Sequence, residues 1–234
     1  MTSRKPGKTD RSRPRDDGEY AYKKAFYQSS EVASDYDFHR LGSSSRQRRH
    51  RSNWKVIRRA LGLTQGVKTV LDLPCGTGRF SGLVGELGYK VLCSDISVEM
   101  MTVAQKAHEG DTAIAGFFRA DAERLPFAHQ SVDCVLSIRF LHHADSKDRV
   151  RILQEFARVS RRWVIVDLRH RYSYHWLRWR GKYLLRQIAR MPPRMTRRQL
   201  FRDATEAGLV IRNVFSVAPI FSDKWIVVLE RKDS

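Results

Sequence analysis

From residue 67 onward, short apolar runs alternate with segments whose apolar residues recur at helical spacing. The apolar runs predict strands at 68–73, 90–94, 116–120, 132–138 and 161–167. The segments between them predict helices at 78–87, 98–108 and 146–159. Strands that alternate with helices of this length are typical of right-handed βαβ units, so the pattern predicts a parallel sheet.

The pattern changes after residue 195. Thr196 and Gln199 have the spacing of a capping box and predict a helix that ends at Gly208. Two β-favouring runs follow at 209–217 and 225–230, close enough in sequence to pair as an antiparallel hairpin. The expected fold class is α/β: a Rossmann-like seven-stranded sheet, mostly parallel with a C-terminal antiparallel hairpin, and with helices on both faces.

The chain before residue 67 has weaker periodicity. Residues 1–18 are polar and strongly charged, which predicts a disordered basic tail. Residues 19–51 mix aromatic with polar side chains and predict a partly helical N-terminal flap. Asn53 is placed to cap a helix that Gly62 ends. The main domain is therefore expected at 52–234.

A tight glycine loop follows the first predicted strand. The strand ends at Asp72, and Gly76 and Gly78 come directly before a segment that can start a helix. This arrangement presents backbone N–H groups to a nucleotide-like cofactor. The third glycine of a dinucleotide fingerprint is missing, because position 81 is Ser81, and no Gly-Lys-Ser/Thr for a triphosphate is present. Taken alone, the loop also fits an ordinary strand–helix turn.

The acid followed by Gly-x-Gly resembles the first motif of class I S-adenosylmethionine-dependent methyltransferases, and further motifs of that family recur in order over residues 52–234. The resemblance is greatest to the branch that modifies quinones and small molecules. It implies S-adenosylmethionine as cofactor and S-adenosylhomocysteine as product. It also implies that Asp72 lies near the cofactor's ammonium group, and that the loop of Pro74, Gly76 and Gly78 approaches its methionine part.

The family's later motifs imply the rest of the cofactor site. Asp95 ends the second strand, 23 residues after Asp72, and would accept hydrogen bonds from the ribose hydroxyls; it also fits a loop residue that caps the next helix. The neighbouring positions would contact the adenine or lie under the transferred methyl group: Ile96, Asp121, Ala122 and Ser137.

The acceptor side begins after the fourth strand. His142 and His143 are candidate general bases, because the pKa of histidine suits proton removal near neutrality; either also fits a packing role. Arg139 would hold an anionic substrate or stay exposed. Related small-molecule enzymes close a flap over the cofactor, which makes Tyr36 and Arg40 substrate-contact candidates. The Asn/Asp-Pro-Pro-aromatic motif of enzymes that methylate nucleobase amines is absent from this position.

The formal net charge is +19, and its excess is concentrated late in the chain. Residues 168–200 contain no Asp or Glu and ten basic residues: Arg169, Arg171, Arg178, Arg180, Lys182, Arg186, Arg190, Arg194, Arg197 and Arg198. With Trp176 and Trp179 interleaved, residues 168–195 predict a basic amphipathic insertion. Three interpretations stay open: docking on an anionic membrane or lipid-linked substrate, a lid packed on the domain, or RNA binding.

Composition indicates where in the cell the protein is expected and whether it binds a metal. No apolar run is long enough to span a bilayer, and the N-terminus does not resemble a secretory signal. Three cysteines, Cys75, Cys93 and Cys134, without a C-x-x-C pair, favour free thiols in a reducing cytoplasm and no metal site.

We therefore expect a cytoplasmic enzyme, peripheral at the inner membrane face if the basic insertion docks there. The expected function is methylation of a small or lipid-linked molecule, with an oxygen acceptor favoured over carbon or nitrogen. The alternatives are an RNA methyltransferase, with RNA ranked behind the small molecule as a partner, and a non-catalytic cofactor-binding subunit.

Overall fold

The computed structural model describes Tyr20, residues 43–188 and residues 194–232. The helices are α1 (Ser44–Leu61), α2 (Arg79–Gly85), α3 (Val98–Ala107), α4 (Ser146–Val159), α5 (Tyr174–Leu184) and α6 (Arg197–Glu206). The strands are β1 (Thr69–Asp72), β2 (Lys90–Asp95), β3 (Ile114–Arg119), β4 (Val132–Ser137), β5 (Ser160–Arg169), β6 (Leu209–Ser216) and β7 (Lys224–Arg231). A short 3₁₀ turn, Leu141–His143, follows β4.

The strands form one seven-stranded sheet in the order β3-β2-β1-β4-β5-β7-β6. Strands β1 to β5 pair in parallel, whereas β7 runs antiparallel to both β5 and β6. The predicted fold class is thus confirmed. Strand order reverses between β1 and β4, and in such sheets the carboxyl ends at this reversal form a crevice that binds ligands.

Two apolar layers cover the sheet. On one face, Phe156 of α4 and Leu200 of α6 pack with Val135 of β4. On the other face, Ile57 of α1 and Val84 of α2 join a second cluster. Helices on both faces leave only the strand ends open, which places a site at the carboxyl edge.

The first described helix differs from the prediction. It begins at Ser44, with Ser43 as its N-cap, and Asn53 is buried in its middle. The basic run before Asn53 lacks apolar periodicity, but arginine is a good helix former and extends the helix toward the N-terminus. This helix crosses the boundary expected between residues 51 and 52. The predicted tail lies outside the described residues, as does the flap before residue 43 apart from Tyr20.

The remaining helix caps follow the sequence closely. The capping box of Thr196 and Gln199 is present, and the Asp145 carboxylate accepts from the Asp148 N–H at 2.9 Å. Helix α5 starts at Tyr174 after the Ser173 cap and ends at Leu184. Within the described ranges, no helix combines the length and apolar character that a membrane span requires.

Candidate active site

The glycine loop between β1 and α2 forms the floor of a pocket at the carboxyl edge. Gly76 has φ of 56°, and a Cβ added there would meet nothing within 4 Å, so this backbone faces open space in the pocket wall. Gly78 has φ of 77°, but its added Cβ would lie 2.8 Å from the His108 ring. The two glycines therefore differ: Gly76 leaves room for a ligand, whereas Gly78 lets α3 pack against the loop. Gly78 is absent from the pocket lining, so its expected approach to the cofactor stays a prediction.

Asp95 joins the glycine loop to the end of β2. One carboxylate oxygen accepts from the Gly76 N–H at 2.8 Å and the other from the Ser97 N–H at 3.0 Å. The side chain is only 4% exposed, and burial raises the pKa of its carboxyl against the lowering effect of these backbone bonds. Ser97, not Asp95, caps α3, so the capping interpretation of Asp95 is wrong. Asp95 lines the pocket with lone pairs left to accept further bonds.

Asp72 lies behind the loop and outside the pocket lining. Its carboxylate accepts from the Ser81 hydroxyl at 2.6 Å, which fixes the first turn of α2 to β1. Burial raises the pKa of Asp72 to about 7, helped by the nearby Asp95 charge and opposed by the Ser81 bond. Asp72 therefore stabilises the glycine loop through its bond to Ser81 and does not itself line the pocket.

The end of the pocket near β3 is mainly apolar. Ile96, Met100 and Ala122 line it, and Asp121 supplies a carboxylate that accepts from the Glu123 N–H at 3.2 Å. Sequence reasoning missed Met100, which lies in the first turn of α3, shortly after Ile96.

The opposite end carries two arginines beside aromatic rings. Arg79, Arg139, Phe80 and Phe140 all line the pocket, and the Arg139 guanidinium lies 5.7 Å from the centre of the Phe80 ring. Sequence reasoning missed Arg79, which directly follows the glycine loop. A basic, aromatic wall suits an anionic molecule with an apolar body.

Buried charge holds Arg139 in place. Its φ is 66°, and its N–H donates to the Asp167 carboxylate at 2.5 Å. The other Asp167 oxygen accepts from the Lys224 ammonium, and both side chains are buried. Burial alone would raise the pKa of Asp167, but the Lys224 charge and the Arg139 bond hold it below its usual value. The left-handed backbone of Arg139 is therefore stabilised by strands β5 and β7.

The two candidate bases have different positions. His143 lines the pocket, whereas His142 does not, and their ring centres lie 4.0 Å apart with the ring planes tilted by 40°. Burial, together with the neighbouring His143, lowers the pKa of His142 well below 6.5. Ser137 is fully buried beneath the pocket and absent from its lining, and its hydroxyl has no hydrogen-bond partner among the described residues.

The predicted flap contributes one described residue, Tyr20. Its ring lies 6.0 Å from that of Phe140, and it lines the pocket. Burial and the nearby acids, Glu123 first among them, raise the pKa of Tyr20 above its usual value. The two flap residues chosen from sequence, Tyr36 and Arg40, lie outside the described residues. Of the other predicted site residues, Pro74, Gly76, Asp95, Ile96, Asp121, Ala122, Arg139 and His143 share this pocket.

Comparison with known proteins independently supports a methyltransferase domain in this chain. Residues 71–164 match a family model described as a methyltransferase domain. A malonyl-(acyl-carrier protein) O-methyltransferase of Hamiltonella defensa is 37% identical over 105 residues, which are 44% of this chain and 38% of that protein. A ubiquinone/menaquinone biosynthesis C-methyltransferase of Methylococcus capsulatus is 38% identical over 103 residues, 41% of each chain. The chain spans less than half the length of these curated relatives.

Solved structures show the same fold over nearly the whole chain. The magnesium protoporphyrin IX methyltransferase of Synechocystis, solved with bound S-adenosylhomocysteine, has a TM-score of 0.71. It covers 90% of this chain and 99% of its own, at 16% identity. The same protein was also solved with bound S-adenosylmethionine, with a TM-score of 0.66 to this chain.

The pocket has the chemistry that such a cofactor needs. Gly76 leaves open space at the loop, Asp95 and Asp121 present acceptors, and Ile96 with Met100 offers an apolar surface to a ring. Among the described residues, no group of three or more His, Cys, Asp or Glu side chains is placed to hold a metal ion. From the matched domain at residues 71–164, the sheet order and these motifs at the ends of β1, β2 and β3, we conclude that the chain contains a methyltransferase domain, that it is similar to class I S-adenosylmethionine-dependent methyltransferases, and that its cofactor is S-adenosylmethionine.

Proposed function

We propose that the protein methylates an oxygen atom of a small or lipid-linked anionic molecule. The single observation that carries the acceptor class is the pair Arg79 and Arg139 in the pocket wall beside Phe80. When bound, S-adenosylmethionine supplies a methyl group that its sulfonium centre has already activated. The protein must then orient an acceptor oxygen in line with that methyl group and keep water away.

The cofactor half follows from the acidic and apolar side chains near β2 and β3. Asp95 would accept from the ribose hydroxyls with the lone pairs that Gly76 and Ser97 leave unused. Ile96 and Met100 would pack on the adenine, and Asp121 would accept from its amino group. Asp72 would act through the loop, because it holds α2 by way of Ser81.

The part of the pocket that would bind the methyl acceptor carries positive charge, which suits an anionic substrate. Arg79 and Arg139 would bind a carboxylate or phosphate of the substrate, and charge-assisted bonds of this kind are stronger than neutral ones. Phe80, Phe140 and Tyr20 would cover the apolar part of the molecule and exclude water. This arrangement favours a deprotonated oxygen as the attacking atom.

His143 is the proposed general base where the acceptor oxygen carries a proton, because it lines the pocket. His142 would position the His143 ring through the contact between their tilted rings. With its pKa lowered, His142 stays neutral near pH 7 and adds no positive charge behind the base.

Label transfer from methyl-labelled S-adenosylmethionine tests the proposal. The enzyme is incubated in turn with lipid extract, water-soluble small molecules and total RNA. We expect label in a lipid or small-molecule fraction, lost in Arg139→Gln and retained in Arg151→Gln, which changes an arginine outside the pocket. Label confined to RNA would contradict the substrate class.

The acceptor atom is identified on the labelled product. Hot hydriodic acid releases O-methyl groups as methyl iodide but leaves C-methyl groups in place. Release of the label supports oxygen. Retention would place the methyl group on carbon, as the name of the Methylococcus capsulatus relative describes for that protein.

A further inference from the structure

Helix α5 is exposed or half-buried along its whole length. None of its residues is buried, and its aliphatic side chains face solvent: Leu177 is 59% exposed and Leu184 is 70% exposed. Leu185, directly after the helix, is 71% exposed. A lid packed on the domain would bury these side chains, so the helix has an apolar surface that the described chain does not cover.

A second exposed segment adjoins the start of this helix. In the loop between β6 and β7, Ile220 and Phe221 are each 71% exposed. The Tyr174 N–H donates to the Ile220 carbonyl at 2.7 Å, which joins the loop to the first turn of α5. Ile220 has φ of 71°, a left-handed conformation that a β-branched residue rarely adopts. The loop is thus held in a specific shape with its apolar side chains outward.

We name α5, Leu185, Ile220 and Phe221 the docking surface. The helix side of this surface is positively charged, because residues 168–200 contain basic residues and no acidic ones. Arg178, Arg180 and Lys182 are exposed along the helix. The acid nearest to the loop tip, Asp223, is buried and paired with Arg169 at 2.8 Å and Arg194 at 2.7 Å. The surface therefore offers positive charge and aliphatic side chains together.

We propose that the docking surface inserts into the headgroup region of a membrane that contains anionic lipid. Arginine and lysine beside aliphatic and aromatic side chains are the composition of helices that lie in a bilayer interface. Each basic residue near an anionic membrane surface strengthens binding to it. Single-stranded RNA is bound through phosphate contacts and stacking on aromatic rings, to which the exposed Leu177, Leu184 and Ile220 add nothing.

The position of the docking surface connects it to the pocket. Helix α5 starts after the carboxyl end of β5, the edge at which the pocket opens. Asp167 of β5 also fixes Arg139 in the pocket wall. This inference rests on the proposed function and narrows it: the anionic acceptor would be a membrane lipid, reached from the bilayer.

Vesicle sedimentation tests the docking without any substrate. The full chain is mixed with vesicles of phosphatidylcholine alone or of phosphatidylcholine with phosphatidylglycerol. We expect binding to the anionic vesicles, weaker at high salt, and little binding to the neutral ones. Ile220→Ser with Phe221→Ser should weaken binding at least about tenfold, because two apolar side chains leave the interface.

The matched control removes apolar surface elsewhere. Leu63→Ser with Leu87→Ser changes two exposed leucines outside the docking surface and should leave vesicle binding unchanged. Unaltered binding of the Ile220/Phe221 variant would mean adsorption by charge alone and would overturn the proposal. Absence of wild-type binding, or binding to an RNA oligonucleotide but not to vesicles, would overturn it too.

The readout separates this proposal from the proposed function. Sedimentation requires neither cofactor nor turnover, and S-adenosylhomocysteine affinity measured on the same variants shows that the pocket is intact. If the protein methylates a small molecule but does not bind vesicles, only the membrane-docking proposal is overturned. Vesicle binding together with label in RNA would remove only the acceptor class.

Discussion

The two sides of the pocket are built in different ways. On the proposed cofactor side, Asp95 and Gly76 bond to each other at 2.8 Å across 19 residues of chain, and the loop shape follows from its glycines. On the proposed acceptor side, Arg139 is held by Asp167, which is itself paired with Lys224, and both belong to strands far along the sequence. The difference indicates that the cofactor side is specified by local motifs, whereas the acceptor side is specified by long-range packing of β4, β5 and β7.

Loss of Lys224, the buried partner of Asp167, should lower the free energy of unfolding more than any other change predicted here. Lys224→Met would leave the buried Asp167 carboxylate without its ammonium partner, which costs about 3–5 kcal/mol. The expected result is a lower free energy of unfolding in urea. The double variant with Asp167→Asn should recover part of the loss, since no unpaired charge remains. A single-variant loss below about 1 kcal/mol would contradict long-range support of this side.

For the same reason, many of the residues that the sequence predicted for cofactor binding line this pocket. Strand ends, the glycine loop and Asp95 are all recognisable from neighbouring residues. Arg139 was placed at the acceptor side, but its left-handed backbone requires Asp167, which no local pattern connects to it. The exposed Ile220 and Phe221 were missed, because hydropathy alone does not show which residues of a hairpin loop stay uncovered.

The glycine loop allows a smaller and more local test. Gly78→Ala combines left-handed strain of about 1–2 kcal/mol with a clash against His108 of about 1–3 kcal/mol. Gly88 has φ of 89° with nothing within 4 Å of an added Cβ, so Gly88→Ala should incur the strain alone. Urea unfolding should therefore rank Gly78→Ala as the less stable variant. Equal losses would show that contact with α3 does not explain the glycine.

The smallest expected effect is on pH dependence. The pKa of His142 lies well below 6.5 in the folded protein, so the unfolded chain takes up its proton first as the pH falls. Stability should therefore decline below about pH 6.5, by at most about 1.4 kcal/mol per pH unit for this group. His142→Gln should flatten the decline between pH 7 and 5.

The control for this measurement is His129→Gln, which removes an exposed histidine from outside the pocket. An unchanged slope in His142→Gln would contradict the neutral, buried position assigned to His142. It would also remove the argument that His143 has an uncharged neighbour.

Calorimetric titration with S-adenosylhomocysteine tests the central claim most directly, because that claim is a cofactor site built around Asp95. The wild-type chain should bind one equivalent. Asp95→Asn should bind about 10- to 100-fold more weakly, which corresponds to the loss of a charge-assisted hydrogen bond of about 1.5–3 kcal/mol. A urea midpoint close to wild type would show that the variant is folded. Absence of binding in the wild type, or equal affinity in a folded Asp95→Asn variant, would contradict the account.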